Sequence, residues 1–274
     1  AVARGPRPRG RGTSRTAPPP WPVPRGVATT GVGDGGFPDI AARYLPGPPG
    51  TPTEGAWYDC LHLPDGSVAL GTGNTASAGI GPTALLVGAM RGVTLTGAAP
   101  GRVLDHLAEV VGHGGHPGTV AALCCRYRPG DGVLRWAGAG HPAPLVFRGG
   151  GGRVLARPPG EPLGTGDDRF HRERVDRLEP GDTLLLYTEH LFPMVRSPVT
   201  APGPHPRLRA LATAIPAAAD AGEVADLVVA ATEPTGPPGA ACLVVLRPRE
   251  HPGHRAPGGP PRGAGPTPRD PEEW

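Results

Sequence analysis

The sequence predicts an α+β layered sandwich, and three observations carry that expectation. Apolar runs of strand length dominate the middle of the chain, and tight turns containing Gly, Pro or Asp separate them. The helical patterns come in consecutive pairs, whereas regular alternation of strands and helices would have pointed to a doubly wound parallel sheet.

The elements follow in order. IAARYL (40–45), WYDCLHL (57–63) and SVALGTG (67–73) read as strands. Two helical patterns interrupt them, PTALLVGAMRGVTL (82–95) and PGRVLDHLAEVV (100–111). The second opens on Pro and places apolar residues at 103, 104, 107, 110 and 111, one face of a helix. Strand-like runs resume with TVAALCCRY (119–127), VLRWAGAG (133–140), PLVF (144–147), HRERVDRL (171–178) and DTLLLYT (182–188). Two further helical patterns lie around 206–215 and 222–232, and ACLVVL (241–246) closes the series.

One hairpin can be registered from sequence. Pro64-Asp65-Gly66 is a three-residue loop with Gly where positive φ is favoured, so Leu63 faces Ser67. Counting back sets Ala56 opposite Asn74, the only asparagine in the chain, with Cβ atoms about 5 Å apart.

Composition bounds the rest. Of 274 residues, 45 are Gly and 40 are Pro, and all 27 basic residues are Arg. Residues 1–36 hold six Arg and one Asp without apolar periodicity and read as a disordered arm; residues 248–274 read as a second. Residues 37–247 remain for one domain with a sizeable core, and its charge is mildly acidic. A basic arm can tether nucleic acid, but it more commonly serves as a soluble linker. No window has the length of a membrane span and no apolar signal core follows the arm, which suggests the cytoplasm. Cys60, Cys124, Cys125 and Cys242 lie in apolar runs without CxxC spacing and read as reduced, buried thiols.

AARYLPG (41–47), GAWYD (55–59), LPDGSVALGTGN (63–74), AGAGHPAPLV (137–146), PLG (162–164) and LEPGDTLLLYTEHL (178–191) together resemble the bacterial PPM-type (protein phosphatase 2C-like) serine/threonine phosphatases of the SpoIIE-like branch. The resemblance implies a four-layer α-β-β-α sandwich, two antiparallel sheets flanked by helix pairs. It also implies two Mn²⁺ or Mg²⁺ ions, held by acids, that activate a water against a protein phosphoserine or phosphothreonine. Hard cations lying close together need several carboxylates to offset their repulsion.

The family pattern places those acids where this chain has Ala56, Asn74, Glu189, Gly239 and Ala240. Only Glu189 is charged, and His190 replaces the glycine that follows the family's acid; Ser77-Ala78 replace a glycine-histidine turn, with Gly79 retained. Losing a single supporting partner of a metal site costs about 10–100-fold. No residue is therefore assigned as catalytic and no cofactor is expected. The resemblance then implies a pseudophosphatase that binds a phosphorylatable anti-sigma-factor antagonist or a similar partner in stress, sporulation or sigma-factor signalling.

The alternative is a weak phosphatase in which Asn74 and Glu189 hold one Mn²⁺ or Mg²⁺ ion with Asp59 or His190 assisting. Asp59 falls on the opposite face of its strand from Ala56 and reads as a structural acid. Glu189 and His190 could also share one Zn²⁺, although no third ligand is evident. His113 and His116 read as solvent-exposed loop residues, His141 as structural, Gly149–Gly152 as a hairpin turn, and Asp167 and Asp168 as solvated acids.

Overall fold

A computed structural model describes residues 37–48, 55–75, 80–113, 118–165, 170–192, 205–232 and 236–249. The two expected arms, apart from Pro248 and Arg249, lie outside the described residues, as do Ser77, Ala78, Gly79, His116, Asp167 and Asp168.

The strands are β1 (Asp39–Leu45), β2 (Gly55–His62), β3 (Val68–Thr75), β4 (Val120–Arg128), β5 (Val133–Ala139), β6 (Leu145–Arg148), β7 (Gly151–Val154), β8 (Arg174–Arg177), β9 (Thr183–Tyr187) and β10 (Ala241–Arg247). The helices are α1 (Ile80–Leu95), α2 (Pro100–His113), α3 (Pro206–Ala210), α4 (Ala214–Ala217) and α5 (Ala221–Ala230). A one-turn 3-10 helix spans Glu189–Leu191. One sheet runs β1-β10-β9-β6-β7 and the other β2-β3-β4-β5-β8, with every strand pair antiparallel.

Strand alternation divides the apolar residues into three layers. Ala56, Tyr58, Cys60, Leu123, Trp136, Leu186 and Val244 meet between the sheets. Trp57, Leu86, Met90, Leu104 and Leu107 join α1 and α2 to the β2–β8 sheet. Leu185, Leu243, Val245, Ile215, Val224 and Val228 join α4 and α5 to the other sheet. Adjacent Cys124 and Cys125 fall in different layers, as neighbours on a strand must. All four cysteines are buried and unpaired, and burial pushes the Cys60 and Cys124 thiols up to about 12.

Two details differ from the sequence reading. The helical pattern at 206–215 is broken into α3 and α4. Pro216 has no N–H and its ring would collide with the carbonyl of Ala212, so the helix restarts with Pro216 inside a first turn. Three helices, two of them short, therefore cover this sheet where a pair was expected. The glycine run also begins a strand, since Gly149 and Gly150, both at positive φ, form the turn and Gly151 already pairs with Arg148.

Candidate functional site between the sheets

The hairpin places the first half of the site. Leu63 N–H donates to the Ser67 carbonyl at 2.9 Å across Pro64-Asp65-Gly66, and Ala56 pairs with Asn74. Ala56 is fully buried between the sheets. The glycines before Asn74 have a steric reason: a Cβ on Gly73 would lie 2.4 Å from the Trp57 ring and 2.6 Å from the Ala121 carbonyl. Thr72 and Asn74, between and after those glycines, point into the space between the sheets.

The opposite sheet supplies the second half. Cys242 N–H donates to Thr188 Oγ1 at 2.8 Å, and Thr188 N–H donates to the Cys242 carbonyl at 3.0 Å. That exchange fixes the turn after β9 beside the start of β10. Leu191 and Phe192 then pack against the helices, while Glu189 is exposed and His190 half-buried.

His190 meets both sheets. Its Nδ1 lies 3.4 Å from Asn74 Nδ2 and 3.4 Å from the Ala240 carbonyl. Both contacts are long, and one ring nitrogen cannot accept from the amide and donate to the carbonyl in the same tautomer. Asn74 Oδ1 is buried and has no hydrogen-bond partner among the described residues. Ala240 is buried and Gly239 lies beside it, just before β10.

This donor set does not fit two divalent cations. Among the described residues the converging groups are one amide, one imidazole and one backbone carbonyl, with a single exposed carboxylate at Glu189. Among the described residues no three His, Cys, Asp or Glu side chains gather as metal ligands.

Asp59, named in the alternative as an assisting group, cannot serve the cleft. It lies on the helix-facing side of β2, and Arg91 of α1 donates to its two oxygens at 2.7 Å and 2.6 Å. Arg91 is the only charged residue in α1, which is the signal from which this pairing could have been read.

His141 is buried beside Thr72. Its Nδ1 donates to the Pro142 carbonyl at 2.9 Å, which leaves Nε2 to accept from Thr72 Oγ1 at 3.0 Å. Burial is the main cause that lowers it to about 4, so the ring stays neutral near pH 7. His113 is exposed at the end of α2 and its Nδ1 donates to the Glu109 carbonyl at 2.9 Å.

Comparison with known proteins places this architecture. The family model described as Stage II sporulation protein E (SpoIIE) matches residues 69–249. The solved RsbU and RsbW domains of a Mycobacterium tuberculosis protein superpose with a TM-score of 0.68 at 24% identity, covering 78% of this chain and 60% of that one. The PP2C phosphatase domain and a regulatory fragment of SpoIIE from Bacillus subtilis give 0.58 at 14% identity, covering 77% and 63%. The catalytic domain of the serine/threonine phosphatase PstP, solved with two manganese ions, gives 0.56 at 15% identity, covering 77% and 98%. The chain thus spans less than two thirds of the first two relatives, and its sandwich is the PP2C phosphatase fold.

Proposed function

Because the chain belongs to the SpoIIE family, we propose that it is a phosphatase-type domain without two-metal catalysis that acts as a protein-binding module in a partner switch. One observation carries this reading: Ala56 faces Asn74 across the β2–β3 hairpin while Ala240 approaches from the other sheet. Among the described residues the cleft therefore lacks the anionic oxygen that a pair of doubly charged ions requires. The partner we infer is a phosphorylatable antagonist of an anti-sigma factor. The mycobacterial relative, in which RsbU and RsbW domains occur together, supports a switch of this kind. Buried, unpaired thiols support a cytoplasmic location, and no helix among the described residues is long and apolar enough to cross a membrane.

Asn74 Oδ1, without a partner among the described residues, favours the alternative, in which Asn74 and Glu189 hold one ion and support slow hydrolysis. Calorimetric titration with Mn²⁺, paired with turnover of a phosphoserine peptide, separates the readings. The unmodified chain should give no site-specific heat at millimolar Mn²⁺ and no turnover. A chain carrying Ala56→Asp, Asn74→Asp, Glu189→Asp and Ala240→Asp should gain binding. Turnover by the unmodified chain at a rate typical of an enzyme, on the order of 1 s⁻¹ or more, overturns the proposal.

A further inference from the structure

The β2–β8 sheet ends in two different edges. β2 is buried through its first six residues, whereas β8 is exposed at three of its four. Leu178 N–H donates to the Gly132 carbonyl at 2.8 Å, and in this register Asp176 faces Leu134 and Arg174 faces Trp136. Antiparallel alternation turns the N–H and C=O groups of Arg174 and Asp176 toward β5 and those of Val175 and Arg177 toward the side where no described strand pairs. Such an edge is a template for another strand.

The side chains there are unevenly engaged. Every acid of the segment serves its own fold. Glu173 accepts from Gly101 N–H at the start of α2 at 2.8 Å, Asp176 accepts from Trp136 Nε1 at 2.8 Å, and Glu179 lies 3.3 Å from Arg148. The intervening arginines, Arg172, Arg174 and Arg177, are exposed, and among the described residues none has a carboxylate within ion-pair distance. Arg135, across from Val175, adds a half-exposed cation whose carboxylate contact, to Glu173, is 3.9 Å long. Two large apolar side chains stand among these charges, Phe170 at 79% exposure and Val175 at 54%. Arginines alone would suit an edge guarded against aggregation; exposed apolar anchors do not.

We propose that the edge of β8, on which no described strand pairs, is a docking strand for an extended acidic segment of a partner protein. The segment adds to the sheet through the outward backbone groups of Val175 and Arg177. Its apolar residues pack on Val175 and Phe170, and its carboxylates meet the arginines, whose positive field selects acid over base. The edge is three strands from β3, roughly 14 Å at ordinary strand spacing, so docking does not depend on the state of the cleft.

The full chain is titrated with a fluorescent nine-residue peptide of alternating Glu and Val, with its Lys/Val counterpart, and with a Glu/Val peptide N-methylated at alternate residues. The acidic peptide should bind at least tenfold tighter than the basic one, lose at least tenfold on N-methylation, and slow amide exchange at Val175 and Arg177. Arg174→Glu combined with Arg177→Glu should abolish or reverse the preference for acid. Since that variant can disturb the sheet, exchange in the unmodified chain decides independently. No binding, equal binding of both charges, undiminished binding of the N-methylated peptide, or protection confined elsewhere each overturns the proposal. Any of these leaves the reading of the cleft intact, because none measures metal binding or turnover.

Discussion

The two faces of one hairpin use polar residues in opposite ways. On the helix side of β2, Asp59 is 1% exposed and gripped through both oxygens by Arg91. On the inter-sheet side, Ala56 faces an amide whose oxygen has no partner among the described residues. The chain keeps carboxylates in its interior where a guanidinium satisfies them: Asp182 repeats the arrangement, accepting from Arg148 at 2.6 Å through each oxygen. Between the sheets, the pair that faces across the hairpin, Ala56 and Asn74, is neutral. A buried charge is tolerable only when paired, and here the pairing is supplied by the protein itself.

The strongest way to break the comparison is to remove the guanidinium. Arg91→Ala leaves Asp59 buried and unpaired and should cost about 3–5 kcal/mol. Asp59→Asn should cost less, since Arg91, at 26% side-chain exposure, can turn to water. Asn74→Ala, which removes an unpaired acceptor, should stay within about 1 kcal/mol of the unmodified chain. Urea denaturation of the three variants orders them; equal losses at Arg91 and Asn74 would show that the two faces do not differ.

A second test sharpens the contrast through pH. His141 is held at about 4 against an ordinary value near 6.5, chiefly by burial. Between these values the unfolded chain takes up a proton that the folded chain refuses. Stability from this group is therefore complete above about pH 6.5, is lost as pH falls toward 4, and amounts to about 3 kcal/mol. Asp65, lowered to about 2 mainly by its hydrogen bond from the Ser67 hydroxyl, also loses stabilisation on acidification, but in a lower window, between its ordinary 3.8 and 2. Denaturation midpoints at pH 7.5 and 4.5 should differ markedly less in a His141→Gln chain. An unchanged difference would mean that His141 titrates normally in the fold.

Much of this was legible in the sequence because local rules sufficed. Pro64-Asp65-Gly66 fixed the hairpin register, and the register put Ala56 opposite Asn74 and Asp59 on the far face. Two kinds of information were not local. Arg91 finds Asp59 only once α1 lies across β2, and Thr72 meets His141 from 69 residues away. The character of β8 was equally hidden: HRERVDRL reads as a strand, but only the sheet order makes it the last described strand of its sheet, and only the folded chain shows which charges are already taken. The split of 206–215 could have been read from Pro216, whose constraint outweighs the apolar periodicity around it.

The smallest expected effect is a null one, and it bears directly on the cleft. Carboxylates facing each other across a hairpin oppose folding until a cation binds, and a ligand at 100 times its Kd adds about 2.7 kcal/mol to the folded state. With Ala56 opposite Asn74 that repulsion is absent, and His190 already reaches both Asn74 and the Ala240 carbonyl across the gap. Thermal melting with EDTA and with millimolar Mn²⁺ should give the same Tm. The four-acid chain should melt lower than the unmodified one in EDTA and recover with Mn²⁺, because its added charges are bearable only when a cation lies between them. A rise in the Tm of the unmodified chain with Mn²⁺, removed by Asn74→Ala, would instead make the orphaned amide oxygen a ligand and restore the single-ion reading.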